Sequence, residues 1–278
     1  MRPVDRQTIL VTGATDGLGR ALAGALASRG ATVLLHGRSE ERLAETQRQL
    51  GAPATYLADF SSLEEVRGLA AAIERDHERL DVLVNNAGIG GGTGRREESA
   101  DGYELRFAVN YLAPFLLTNL LLPLLRRSAP ARIVNVASAG QAPIDFDDVM
   151  LERRYDPTRA YAQSKLAQIM FTFELAKRLE AEGAGVTVNA LHPASLMNTK
   201  MVYESFGYTM STIEDGVEAT LRLAISPELD GVTGRYFDRL REARPRDQAE
   251  GPEACRRLWE LSEELVRRPR GDAPRPTG

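Results

Sequence analysis

The chain has 278 residues, 43% of them hydrophobic and 27% charged, with a formal net charge of −4. That is enough for one large α/β domain or two small ones, and the mild negative balance gives no reason to expect a nucleic-acid partner. Cys255 stands alone, which excludes an internal disulfide and suits a reducing, cytoplasmic setting.

The first apolar run, residues 8–12, is too short for a signal peptide or membrane anchor. It predicts a strand, followed by a glycine-rich turn and an Ala/Leu helix ending near Gly30. A second strand is expected over 32–36 and a helix over 40–50, then a strand over 55–58 and a helix over 62–77. A strand over 81–84 leads through the loop Gly90, Gly91, Gly92, Thr93, Gly94 into a long helix over about 103–126. Residues 107–125 are apolar enough to raise the question of a membrane span, but they hold Asn110, Pro114, Asn119 and Pro123 and read as a buried helix. A strand over 132–137 precedes a polar insertion, about 140–157. A helix over 159–182, a strand over 186–191, a helix over 214–225, a last strand over 234–237 and an amphipathic helix over 252–267 complete the pattern.

Such alternation implies a parallel sheet covered by helices on both faces. The strands are continuous apolar runs, as in Val33-Leu34-Leu35 and Val82-Leu83-Val84, which doubly buried strands require. With no internal repeat and no linker, residues 1–268 read as a single α/β domain, a doubly wound parallel sheet of the Rossmann type. Residues 269–278, rich in Pro, Gly and Arg, read as a disordered tail.

The first strand–helix junction, Thr12-Gly13-Ala14-Thr15-Asp16-Gly17-Leu18-Gly19, has the glycine content that lets backbone approach a pyrophosphate at a helix N-terminus. After the second strand, no acid stands at Gly37 to take a ribose 2′-hydroxyl, and Arg38 follows with Ser39. Arg38 reads either as a clamp for a 2′-phosphate, favouring NADP(H) over NAD(H), or as one more solvated arginine. The densest chemical signal is Tyr161-Ala-Gln-Ser-Lys165. The chain has eight tyrosines but only three lysines, and here one of each shares a helix face four residues apart. An ammonium beside a phenol favours the phenolate, so the pair is expected to lower the tyrosine pKa and to move protons.

In this order, the glycine turn from Thr12, Asp59, the run Asn85-Asn86-Ala87-Gly88, Asn110, Ser138, and Tyr161 with Lys165 resemble the short-chain dehydrogenase/reductase family over about residues 7–240. The long insertion before Tyr161 is most similar to the retinol-dehydrogenase-like branch. The resemblance implies that Gly13, Thr15, Asp16, Gly17, Leu18 and Gly19 line the pyrophosphate and adjoining ribose, Asp59 and Phe60 the adenine, and Asn86, Ala87 and Gly88 the adenosine ribose. Tyr161 would be the acid/base, Lys165 the ligand of the nicotinamide ribose, Ser138 a hydrogen-bond donor to substrate oxygen, and Asn110 the holder of a helix kink and a relay water. After the sixth strand, Pro193 is followed by Ala194 where the family has glycine, and Thr199 stands one residue from the usual threonine, so the carboxamide contacts there are the least secure.

The expected activity is therefore NADP(H)-dependent hydride transfer to or from a small-molecule carbonyl/alcohol pair, as in a ketoreductase. The alternative is a non-catalytic NADP(H)-binding sensor of the same fold. A hydrolase built on Ser138 and His192 lacks the G-x-S-x-G elbow, since Val136 stands at its first glycine. Three scattered histidines and one cysteine suggest no metal site. Substrate walls are expected at about 89–96, 141–154 and 195–212. The last carries Leu196, Met197, Met201, Val202, Tyr203, Phe206, Tyr208 and Met210, suited either to a lipophilic or aromatic substrate or to packing. The Arg- and Ala-rich composition points to a GC-rich bacterial genome, which would suit a secondary metabolite such as a polyketide as substrate. The long helices resemble those that pair subunits in the family, so a homodimer or homotetramer is expected. The stripe Ala162, Leu166, Ile169, Phe173, Ala176 fits interface, core or both.

Overall fold

Side chains at the start of each helix take up amide groups that the helix cannot, and these caps set where strand gives way to helix. The computed structural model describes residues 1–52, 54–90, 94–199, 201–203 and 207–267. Strand β1 (Thr8–Val11) enters the glycine turn and helix α1 (Gly17–Ala27), capped by Asp16. β2 (Thr32–Gly37) leads to α2 (Glu40–Leu50), capped by Ser39, and β3 (Ala54–Leu57) to α3 (Leu63–Asp76), capped by Ser62. β4 (Val82–Asn85) is followed by the long helix α4 (Leu105–Arg127). β5 (Ala131–Val136) precedes α5 (Pro157–Ala181), which has Asp156 as cap and proline in its first turn. β6 (Val186–His192) precedes α6 (Ile213–Ile225), closed by a capping box of Thr212 and Asp215. β7 (Tyr236–Asp238), a two-residue β8 (Arg241–Glu242) and α7 (Pro252–Arg267) end the fold. The short β8 was not expected from the sequence. The expected tail, 269–278, lies outside the described residues, as do Gly91, Gly92 and Thr93 of the glycine-rich loop, and Lys200 and Phe206.

The strands form one sheet in the order β3-β2-β1-β4-β5-β6-β7-β8, parallel throughout except for β8. Chain order reverses between β1 and β4, which opens a crevice at their carboxyl ends. Successive side chains alternate between two cores. Leu10, Leu34, Leu83 and Ile133 join the core under α3, α4 and α5. Ile9, Val33, Val84 and Val134 join the one under α1 and α6. This is the single-domain, Rossmann-type doubly wound fold that the alternation implied.

The apolar helix α4 is a core element: 83% of its most hydrophobic window is buried inside the chain. In the stripe on α5, Ala162, Leu166, Ile169 and Ala176 are buried within the same chain and Phe173 packs partly against them, so the stripe is core. What covers the α4–α5 face is α7. Trp259 meets Phe115 at 5.1 Å and Phe171 at 5.9 Å between ring centroids. Tyr111 and Ser262 hydroxyls lie 2.7 Å apart, and the Tyr103 hydroxyl donates to Leu265 O. Cys255 lies in the same layer, and burial pushes its thiol up to about 12, well away from reactivity at neutral pH.

The insertion is less polar than its sequence suggests. Ile144, Val149, Met150 and Leu151 are buried. Gln248 binds both backbone groups of Ile144, and the Arg257 guanidinium lies 4.5 Å from the Phe146 ring centre. A segment distant in sequence therefore supplies the apolar cover that local composition hides.

Candidate active site

The glycine turn is held by contacts that leave no room for side chains. A Cβ on Gly19 would fall 2.1 Å from Gly13 O, and Gly13 itself has φ +65° with Ala87 Cα 2.9 Å from its would-be Cβ. Asn86 Nδ2 donates to Thr12 O at 2.8 Å and to Gly13 O at 3.2 Å. The Thr12 hydroxyl accepts from the amides of Asn86 and Ala87, which locks the loop after β4 onto the turn after β1. From β2, His36 Nδ1 accepts from Gly13 N at 3.2 Å while Nε2 lies 3.0 Å from Ala58 O. These partners require a neutral ring with its proton on Nε2, and burial pushes the His36 pKa down to about 4. Phe60 is buried and stacks on His36 at 4.4 Å. Its ring is therefore core, and only its backbone is left to face the crevice.

Asp16 Oδ1 takes the Gly17 amide, and the Leu18 and Gly19 amides find no partner among the described residues. Free amides at the start of an 11-residue helix are donors for a pyrophosphate. Thr15 lies against Gly37, with its Cγ2 2.7 Å from where a Cβ there would stand. Arg38 follows at the rim, exposed and without a hydrogen bond or ion pair among the described residues. Ser39 is spent on capping α2. Arg42, one turn on, reaches Asp16 at 3.5 Å and brings a second guanidinium to the same rim. Asp59 turns back on its own loop, accepting from Ser61 N. The displaced Thr199 nonetheless reaches the turn: its Cγ2 is 3.2 Å from where a Gly17 Cβ would be. Pro193 is buried at the end of β6. These free amides and the exposed Arg38 at the rim fit a nicotinamide dinucleotide.

The reactive groups gather beyond β4 and β5. Asn110 sits in a π-helical stretch, Ala108–Leu112, inside α4. Its side chain accepts from Ile89 N at 2.8 Å and donates to Ile89 O and to Ser164 Oγ, and Ser164 Oγ donates in turn to Tyr161 O. Gly88 passes between Asn110 and Lys165, 3.2 Å and 3.6 Å from its would-be Cβ. Lys165 Nζ donates to Val136 O and Gln168 Oε1, both at 2.9 Å, and stands 5.7 Å from the centre of the Tyr161 ring. Ser138 Oγ accepts from Gly140 N at 3.1 Å, and it lies beside Tyr161: a Cβ on Gly140 would stand 3.5 Å from Ser138 Oγ and 3.9 Å from Tyr161 Cε1. The Ser138 carbonyl is held by Gln141 Nε2 and the Tyr236 hydroxyl.

One expectation reverses. Burial pushes the Tyr161 pKa up, against the Ser138 hydrogen bond that pulls it down. Lys165 faces the ring instead of bonding the hydroxyl, and burial takes its own pKa down to about 7. The i, i+4 spacing brings the two together, but desolvation outweighs the expected acidification. His192 shares this end of the sheet, its Nε2 3.1 Å from Ser195 Oγ, and burial lowers its pKa. Among the described residues no group of three or more His, Cys, Asp and Glu could hold a metal ion. The contacts of Thr12, His36, Gln141, Gln168 and Tyr236 were not read from the sequence. Only the position of Thr12 and His36 at strand ends could have flagged them, since their partners are remote.

The profile of the short chain dehydrogenase family matches residues 7–207. Retinol dehydrogenase 13 of Homo sapiens is 39% identical over 284 residues, covering 94% of this chain and 84% of that protein. Among solved structures, an uncharacterized protein of Mycobacterium paratuberculosis is 31% identical with a TM-score of 0.77, covering 95% of both chains. A short chain dehydrogenase of Shigella flexneri complexed with NADP is 29% identical with a TM-score of 0.70, covering 85% of this chain and 98% of that one.

Proposed function

Because the chain belongs to the short-chain dehydrogenase family and is an NAD(P)-dependent oxidoreductase, we propose that it reduces a lipophilic ketone or aldehyde with NADPH. The observation that supports this is the convergence of Ser138, Tyr161 and Lys165 around Gly140 and Gly88. When bound, the dinucleotide supplies the hydride to the carbonyl carbon. The chain's own residues manage charge and protons. Ser138 and Tyr161 donate hydrogen bonds to the carbonyl oxygen, where negative charge grows. Tyr161 then delivers its proton, completing the alcohol. Burial raises the Tyr161 pKa, so the phenol holds its proton at neutral pH until the oxyanion forms. Lys165 stands 5.7 Å from the Tyr161 ring centre and places its positive charge beside that ring. Asn110 holds Ile89 and Ser164, and so fixes the loop and helix between which the site lies.

Leu18 and Gly19 amides would take the pyrophosphate, and Arg38, with Arg42 beside it, the 2′-phosphate. The NADP-bound relative supports that choice. Met201, Tyr203, Tyr208 and Met210 are exposed on the segment after β6, and this apolar rim supports a lipophilic substrate. The relative named for retinol, itself a lipophilic alcohol, supports the same class.

Tyr161→Phe should fold, bind NADPH with unchanged fluorescence enhancement, and lose about 10²–10⁴-fold in kcat on any good substrate. Turnover within a few-fold of the parent would reject the assignment.

A further inference from the structure

We propose that Gln168 is a positioning residue whose amide oxygen fixes the Lys165 ammonium beneath Tyr161. This rests on the reading of Lys165 given above and extends it to a residue one turn further along α5. Lys165 Nζ has three N–H donors and no acceptor. Two donors are taken, by Val136 O on β5 and by Gln168 Oε1, each at 2.9 Å. The third makes no hydrogen bond among the described residues.

The orientation of Gln168 is decided by this contact. Gln168 is 1% exposed, and its Nε2 has no hydrogen-bond partner among the described residues. A buried, unpaired amide nitrogen is costly. Turning the amide over would point its N–H groups at an ammonium, which can only donate. The side chain therefore keeps its oxygen on Lys165 and leaves its nitrogen unsatisfied. Among the described residues, no other side chain accepts a hydrogen bond from Lys165. Tyr161 from the same helix presents its ring, and His192 from the end of β6 adds repulsion when charged. Gly88 after β4 and Asn110 on α4 are neutral. Val136 offers only a backbone carbonyl. Gln168 is thus the side chain through which the protein opposes the burial that drives Lys165 towards neutrality.

The chain contains only three lysines, so lysine 13Cε labelling gives a spectrum simple enough to follow Lys165 directly. The experiment titrates the cofactor-free protein by NMR as wild type, Gln168→Met and Gln168→Glu, with folding checked by circular dichroism and the Lys165 signal assigned with Lys165→Arg. Met keeps the length and loses the acceptor. Its Lys165 midpoint should move to lower pH. Glu places a carboxylate on the ammonium and should move the midpoint up by about 1–3 units. In turnover assays the alkaline limb of the kcat profile should move in the same two directions. A folded Gln168→Met whose Lys165 titrates as in wild type overturns the proposal, as do two variants shifted the same way. If both NMR shifts appear as expected while Tyr161→Phe remains active, the Gln168 contact stands and the catalytic reading of the site fails instead.

Discussion

His36 holds the cofactor turn only while it is uncharged. Its Nδ1 accepts from Gly13 N and its Nε2–H serves Ala58 O, so a second ring proton would meet the Gly13 N–H. The unfolded chain protonates this residue near pH 6.5 and the folded chain near pH 4. Its stabilising contribution is therefore whole above pH 6.5 and is lost as the pH falls from there through about 4, a difference of roughly 3 kcal/mol. His36→Gln cannot take that proton. Urea titrations at pH 7 and pH 4 should give it an acid loss smaller than that of the parent by about that amount, and equal losses would refute the account. Arg38 carries the opposite kind of prediction, one about recognition alone. It is exposed and unpaired among the described residues, so replacing it should leave stability within about 0.5 kcal/mol. Arg38→Asp should raise KM for NADPH about tenfold or more while lowering or sparing KM for NADH. An unchanged NADPH/NADH ratio in steady-state assays would remove Arg38 from the site.

At the scale of elements, α4 and α7 show why amphipathic patterns need a partner to be interpreted. The π-helical stretch in α4 places Asn110 so that one side chain binds Ile89 and Ser164 at once, joining β4's loop to α5. α7 lays Trp259 over Phe115 and Phe171, and the Arg178 guanidinium stacks 4.2 Å from the Trp259 ring. Trp259→Ala removes the centre of this layer and should cost about 3–5 kcal/mol in denaturant unfolding. A loss under 1 kcal/mol would mean that α7 is not packed as described. The insertion depends on the same end of the chain through Gln248 and Arg246, the latter donating to Gln141 O. Since Gln141 also holds the Ser138 carbonyl, the C-terminal segment reaches Ser138 in two steps.

Across the whole molecule, the reversal of strand order between β1 and β4 gathers the ends of six strands at one crevice. The candidate cofactor residues other than Tyr161 and Lys165, which lie on α5, follow the carboxyl ends of strands in that set. Ligand binding should therefore stabilise the domain as a unit. At a concentration one hundred times Kd, NADPH should add about 2.7 kcal/mol, read as a higher Tm, and NADH at the same concentration should add less. No Tm increase with NADPH, in a protein that unfolds cooperatively, would contradict the crevice as the dinucleotide site.

Strand–helix alternation, the glycine turn and the i, i+4 pairing of Tyr161 with Lys165 were legible in the sequence alone, because each depends on neighbours within one turn or one loop. The order of those motifs was enough for the fold and for the candidate residues. Tertiary structure alone decided how those residues are solvated. It turned the expected lowering of the Tyr161 pKa into a rise, made His36 a neutral staple, and put the Phe60 ring in the core. It also gave the polar-looking insertion an apolar underside and covered the Phe115 and Phe171 rings with α7. Burial is the reason: the free energy of a charge or an apolar face depends on what covers it, and here the cover comes from segments tens to more than a hundred residues away.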